Sequence, residues 1–347
     1  MIRLIAVLLA WLTLAGLNDV PAVNDAAIMD DGYPRQLSDF AFFFDDHAQE
    51  PNARVHAYEL NTPLFTDYAV KQRWVYVPPG QRIAYAPDGT FEFPVGSALI
   101  KSFGYPADFR DPDSPVRLLE TRVMLRRPDG WVALPYVWNA DGTEAVLARA
   151  GRRMPASFID ADGETREFSY RVPNQNQCKG CHQRDDEIQP IGPSARNLNN
   201  GTRLAQWVDW GILGRSPADA PRIAVWDDPA TGTLDERARA YLDVNCAHCH
   251  RRNGSASNSG LFLTYEEPDS VARGILKRPV AAGRGSGGHD FNIAPGHADR
   301  SILVHRMESD DPGVQMPELG RELLHREGIE LIRRYIDAMP AANDGQG

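Results

Sequence analysis

The chain has 347 residues and a formal net charge of −10, with 37 lysines and arginines against 47 aspartates and glutamates. No run of basic residues forms a cluster, so the composition argues against nucleic-acid binding. The length predicts about two or three domains, and the acidic charge favours a basic protein as partner.

The first 22 residues (1–22) are predicted to be a secretory signal peptide. Arg3 gives a positive start, residues 4–17 form an uncharged, mostly apolar run, and small residues place the cleavage site after Ala22. An uncleaved membrane anchor is the alternative, but a span needs about 20 apolar residues. No second long apolar run follows. We therefore expect an exported, periplasmic protein with no membrane span in the mature chain.

Residues 23–173 are predicted to form a β-rich domain. Its β-prone runs lie at 73–77, 98–103, 121–126, 131–138 and 144–148. Asp-Gly pairs, which are strong hairpin signals, lie at 88–89, 129–130, 141–142 and 162–163. The pattern predicts an antiparallel β-sandwich or barrel-like domain. We expect its large aromatic side chains to pack in the core; they are Trp74, Tyr76, Trp131, Tyr136 and Trp138.

The four cysteines of the chain form two copies of the pattern C-x-x-C-H. The copies are Cys178, Cys181 and His182, and Cys246, Cys249 and His250. This pattern is the attachment signature of a c-type haem. Two thiols on one turn of the chain add to the two vinyl groups of the porphyrin, and the adjacent histidine supplies the proximal nitrogen to the iron. The sequence therefore predicts two covalently attached haems.

Zinc binding, thiol redox chemistry and disulfide formation each account for the cysteines less well. A zinc site needs four nitrogen or sulfur ligands and no histidine directly after the second cysteine. A thioredoxin-like pair lies in a βαβ unit, which surrounds neither copy. Disulfides in an exported protein account for the thiols but not for the two adjacent histidines.

Helical patterns surround the two motifs. Residues 174–228 form the predicted first haem-binding segment, in which Thr202 is a plausible N-cap of a helix. A linker rich in proline, aspartate and glycine follows at 217–233. Residues 229–347 form the predicted last domain, with one helix leading into Cys246 and another over 323–338. The predicted fold class is thus α+β multidomain, with a β domain followed by mainly α-helical haem modules.

Residues 234–339 resemble a class I cytochrome c domain. Members of that family have a helix that leads into C-x-x-C-H, a later Met-Pro and a C-terminal helix, which match 241–250, Met316-Pro317 and 321–338 here. The resemblance implies that His250 is the proximal ligand and Met316 the distal ligand of the second haem, which favours reduced iron. The alternative distal ligands are Met307, His289, His297 and His305.

The whole chain also resembles a family of exported bacterial dihaem c-type cytochromes of undefined function. The stretches PNQNQC at 173–178 and AYLDVNCAHCH at 240–250 carry this resemblance.

The sixth ligand of the first haem is open, because no histidine or methionine lies between His182 and Cys246. Pro193 resembles the proline whose carbonyl orients a proximal histidine. The ligand could come from the β domain, from a histidine of the last domain, or be absent, which would leave five-coordinate iron. The β-domain candidates are Met154, which is preferred, Met124, His56 and His47.

The function expected from these features is electron transfer through two haems to a redox partner protein. The alternatives are a peroxidase-like haem enzyme or a small-ligand sensor, both of which need an open first haem.

Overall fold

The computed structural model describes residues 22–45, 49–281 and 283–341. The predicted signal peptide (1–22) and His47 lie outside these ranges, apart from Ala22 itself. Within them, no helix is long and apolar enough to cross a membrane.

A six-stranded antiparallel sheet in the order β3-β4-β5-β6-β7-β8 is the centre of the fold. Three two-stranded pairs accompany it, β1 with β2, β9 with β10 and β11 with β12. The strands are β1 (Phe43–Asp45), β2 (Glu50–Pro51), β3 (Val55–Ala57), β4 (Val70–Tyr76), β5 (Ala98–Pro106), β6 (Val116–Arg127), β7 (Gly130–Trp138), β8 (Ala145–Leu147), β9 (Arg152–Ile159), β10 (Thr165–Val172), β11 (Gln183–Arg184) and β12 (Glu187–Ile188).

Asp-Gly turns join three of the strand pairs, as predicted. The pair at 129–130 joins β6 to β7, the pair at 141–142 joins β7 to β8, and the pair at 162–163 joins β9 to β10. Gly163 has a φ of +88°, a conformation that glycine adopts without a steric penalty.

Both faces of the sheet are covered. Side chains that include Trp74, Ile100, Val123 and Tyr136 form one buried cluster with the N-terminal segment (residues 23–43). Alternate residues of the same strands point to the opposite face, because side chains alternate along a strand. There Val75, Leu99, Met124 and Ala133 pack with residues 195–213. The aromatic residues predicted to be core are buried in these two clusters.

The helices are α1 (Asp25–Met29), α2 (Gln175–His182), α3 (Ala195–Leu198), α4 (Arg203–Asp209), α5 (Leu234–Asn245), α6 (Ile302–Glu308) and α7 (Arg326–Asp337). The two predicted helices of the last domain correspond to α5 and α7, which pack on each other.

The predicted fold class is wrong. The structure is 22% helix and 24% strand, so the predicted haem modules are not mainly α-helical. The predicted sandwich or barrel is instead a six-stranded antiparallel sheet with separate two-stranded pairs. Between α5 and α6 the described chain forms only short 3-10 turns and loops. Glycine-rich stretches and prolines interrupt any helical period in this region. Leu261, Leu263 and Ile293 of these loops nevertheless reach the same buried cluster as α5 and α7.

The three predicted segments contact one another through polar groups. Arg196 of α3 pairs with Asp243 of α5. The Phe65 backbone N–H donates to Asn245 Oδ1 at 2.7 Å, and Asp67 Oδ1 accepts from the Leu323 N–H at 2.8 Å. The segment between β3 and β4 is therefore tied to both ends of the last domain.

Candidate functional site

A capping box starts α2 directly before the first motif. Asn174 Oδ1 accepts from the Gln177 N–H at 2.8 Å, and Gln177 Oε1 accepts from the Asn174 N–H at 2.9 Å. This box stabilises the first turn of the helix that carries both cysteines. Cys178 and Cys181 are three residues apart and therefore lie one turn apart on it. Cys178 packs against the buried cluster on the sheet.

The ring of His182 is oriented by a backbone carbonyl. Its Nδ1 lies 2.9 Å from the Gln189 oxygen. A carbonyl can only accept, so Nδ1 carries the proton and Nε2 of the neutral ring keeps its lone pair. Burial lowers the pKa of His182 to about 4, which keeps the ring neutral near pH 7. This is the arrangement of a histidine prepared to bind a metal.

Pro193, for which this orienting contact was predicted, makes a different one. Its carbonyl accepts from the Phe91 N–H at 3.4 Å. Gln189 therefore has the orienting role, and the sequence gives no signal for it because the contact depends on the β11–β12 hairpin that follows α2.

The second motif follows the C-terminal end of α5. A capping box between Thr233 and Glu236 starts this helix, and its last residue precedes Cys246. The N–H groups of Cys249 and His250 both donate to the Cys246 oxygen, at 3.1 and 2.9 Å. These bonds hold the motif in a tight turn.

His250 is oriented by a hydroxyl group. Its Nδ1 lies 3.3 Å from Ser259 Oγ, which donates its own proton to the Ala256 oxygen at 2.7 Å. Ser259 thus accepts from the Nδ1–H of His250, and Nε2 is again the free nitrogen. Burial lowers the pKa of His250, which favours the neutral ring.

The two motifs contact each other. Cys249 Sγ lies 3.2 Å from the Gly180 oxygen, and Ser255 Oγ donates to the same oxygen at 2.6 Å. One ligand atom each of Cys181, His248 and Cys249 lies within 4.8 Å of the others. A hydrogen bond between the two thiols raises the pKa of Cys181 and lowers that of Cys249.

Sequence reasoning did not single out His248. The residue is buried, and its Nδ1 has no hydrogen-bond partner among the described residues. Its position between Cys246 and Cys249 is the sequence feature that could have indicated His248 as a site residue.

Met316 lies in the irregular segment between α6 and α7. Its N–H donates to the Arg306 oxygen at 2.9 Å, and its carbonyl accepts from Arg321 at 3.2 Å. The pKa of His250 is lowered mainly by burial. The neighbouring His248 and the positive charge of Arg306 lower it further. The backbone of Met316 is thus held by a residue whose charge acts on His250.

The remaining candidate distal ligands of the second haem have separate surroundings. Met307 is buried in the cluster of α5 and α7. The rings of His289 and His305 are 5.7 Å apart, and His297 is exposed. All of these assignments, including Met316, stay predictions.

The candidate sixth ligands of the first haem are dispersed. Met154 packs with Phe158 and Tyr170 in a cluster that does not include Cys178. Met124 belongs to the cluster that Cys178 contacts, and His56 stacks on Trp210 with ring centroids 4.4 Å apart. Met124 therefore shares a buried cluster with Cys178, whereas the preferred Met154 does not.

Comparisons with protein-family models, curated proteins and solved structures found no match for this chain.

Proposed function

We propose that this protein is an exported, periplasmic dihaem c-type cytochrome that transfers electrons to a partner protein. The observation that carries the proposal is the pair of complete C-x-x-C-H motifs in which every thiol is free and both histidines are oriented through Nδ1. Covalent haem needs this donor set: two thiols and an imidazole with an available Nε2.

The residues fit two such groups. Cys178 and Cys181 would hold the first haem, with His182 as proximal ligand, and Cys246, Cys249 and His250 would hold the second. Met316 is the proposed distal ligand of the second haem, and Met154 stays a candidate for the first. When bound, each haem supplies a one-electron couple of the iron.

The contact between the motifs supports electron transfer. Cys181 and Cys249 belong to different motifs, yet their ligand atoms lie within 4.8 Å of each other. Two attachment sites this close give a short path between the cofactors.

The same contact raises a competing possibility. Cys181, His248 and Cys249 could bind one metal ion directly, although structural zinc sites normally have four protein ligands. The two possibilities exclude each other, because a thioether sulfur is no longer a thiolate. An open first haem, for an enzyme or a sensor, is a second alternative, motivated by the absence of histidine and methionine from residues 183–245.

The decisive experiment is a haem and metal count on protein made in a host that attaches c-type haem. Intact mass under denaturing conditions should show two covalent haems in the unaltered chain, and one in Cys178→Ala combined with Cys181→Ala. His248→Ala is the matched control, which should keep both haems. A chain with bound metal, no covalent haem and loss of that metal in His248→Ala would overturn the proposal.

Absorption spectra with and without CO then separate the haem functions. Two low-spin haems that do not bind CO support electron transfer. A high-spin fraction that binds CO would favour the enzyme if peroxide is turned over, and the sensor if it is not.

A further inference from the structure

Three cations lie side by side on the sheet face that α2 and residues 195–213 cover. Lys101 of β5 is paired with Arg73 of β4 on one side and with Arg122 of β6 on the other. Directly paired residues of an antiparallel sheet share a face. We call these three residues the basic row.

The basic row adjoins the first haem motif. Leu99 and Met124, each two residues from a member of the row, lie on the same face and belong to the cluster that Cys178 contacts. Helix α2 packs on β7, the strand next to β6. Strands are about 4.8 Å apart, so the row, which ends at Arg73 on β4, extends roughly 14 Å away from β7, the strand beside α2.

Of the three, Arg122, the member nearest to α2, is the one that forms an ion pair within the described part of the chain. Arg122 pairs with Glu120 through two hydrogen bonds of 2.7 and 2.9 Å. Glu120 is fully buried and also accepts from the Tyr170 hydroxyl at 2.9 Å. This carboxylate is therefore committed to Arg122 and Tyr170.

Arg73 and Lys101 have no carboxylate partner within the described ranges. Arg73 is only 9% exposed, and its Nη2 has no hydrogen-bond partner there. Glu59, the carboxylate whose charge acts on Arg73, is exposed and pairs with Arg203 instead. Lys101 Nζ lies over the ring of Phe103, 4.8 Å from its centroid.

Two adjacent basic side chains without an ion-pair partner are costly to keep charged, and burial and the charge of Arg73 lower the pKa of Lys101. Like charges on directly opposite residues repel, and a buried cation without a partner is costly. An anion bound against Arg73 and Lys101 in the functional protein would supply the missing counter-charge.

We propose that Arg73 and Lys101 bind the propionate carboxylates of the first haem. This inference rests on the proposed function. The thioether and propionate groups lie on opposite edges of the porphyrin. The order along the row agrees with this, because the paired Arg122 is near α2 and the two unpaired cations are farther away. Arg73 has the planar geometry that binds carboxylates through two hydrogen bonds.

The test is the reduction potential of each haem in the holoprotein, measured by spectroelectrochemistry. A nearby cation favours ferrous over ferric iron, so Lys101→Gln and Arg73→Gln should each lower the potential of one haem and leave the other unchanged. Lys101→Arg and Arg73→Lys keep the charge and should restore the potential toward that of the unaltered protein. These variants separate charge from packing, which matters because Arg73 is buried.

The control is Arg117→Gln, which removes the same charge from an exposed position of β6. If both haems are attached and the Lys101→Gln potentials match those of this control, the inference is overturned while the proposed function stands. If the unaltered chain carries no covalent haem, both are overturned.

Discussion

The ion pair between Arg196 and Asp243 should be a major contribution to the stability of the contact between the two motif-bearing segments. Arg196 Nη2 lies 2.9 Å from each carboxylate oxygen of Asp243, and Nη1 lies 2.6 Å from Glu266 Oε1. The side chains of the pair are only 10% and 9% exposed. Asp243 is also three residues before Cys246, so it helps to place the second motif.

Arg196→Met should lower the free energy of unfolding by about 3–5 kcal/mol, because Asp243 stays buried without its cation. One backbone bond, from the Tyr265 N–H at 3.0 Å, would remain to it. Asp243→Asn should cost less, about 1–3 kcal/mol, because Arg196 keeps Glu266 as a partner. The double variant should be more stable than the sum of the single changes by about 1–3 kcal/mol.

The assay is guanidinium unfolding followed by far-ultraviolet circular dichroism, run on all four members of the cycle. Arg278→Met is the control, since its pair with Asp290 is 72% and 66% exposed. It should cost no more than about 1 kcal/mol. Additive effects in the cycle, or a cost for Arg196→Met as small as that of the control, would refute the reasoning.

Three further predictions concern single sites. Met316→Ala should abolish the near-infrared sulfur-to-iron band and lower the potential of one haem; an unchanged band would assign the distal position to another residue. Burial lowers the pKa of His325 from 6.5 to about 3. Between these pH values the unfolded chain binds a proton that the native ring excludes, so the free energy of unfolding should fall as the pH drops from about 6.5 toward 3. His325→Phe should flatten this fall by up to about 1.4 kcal/mol per pH unit, measured as unfolding free energies at several pH values; an unchanged slope contradicts it. Gly151→Ala should cost about 1–3 kcal/mol, because φ is +73° and a Cβ would lie 2.7 Å from the Val172 oxygen; an unchanged melting temperature would contradict this.

The sequence was informative where a pattern is local. The two C-x-x-C-H motifs, the Asp-Gly hairpins and the helices α5 and α7 all follow from residues close together in the chain. The loops between α5 and α6 were not predictable, because their structure depends on packing against helices distant in sequence. Gln189 and Ser259 were not predicted for the same reason, because their contacts with His182 and His250 depend on the fold.

The basic row illustrates this limit. Nothing within a single strand shows which charged residues of the next strand lie beside Lys101 or Arg122. Only the register between strands shows that they are neighbours, and only the packing of residues 195–213 shows that this face is covered.

The two edge strands of the central sheet limit how this protein can associate with others. β3 and β8 have three residues each, whereas the inner strands have 7 to 12. The N-terminal segment further covers β8, where the Leu147 N–H donates to the Arg35 oxygen at 2.9 Å. Short, covered edges offer few free backbone groups to an incoming strand. A partner that extends the central sheet would therefore gain little binding energy, and these two edges are protected from edge-to-edge aggregation.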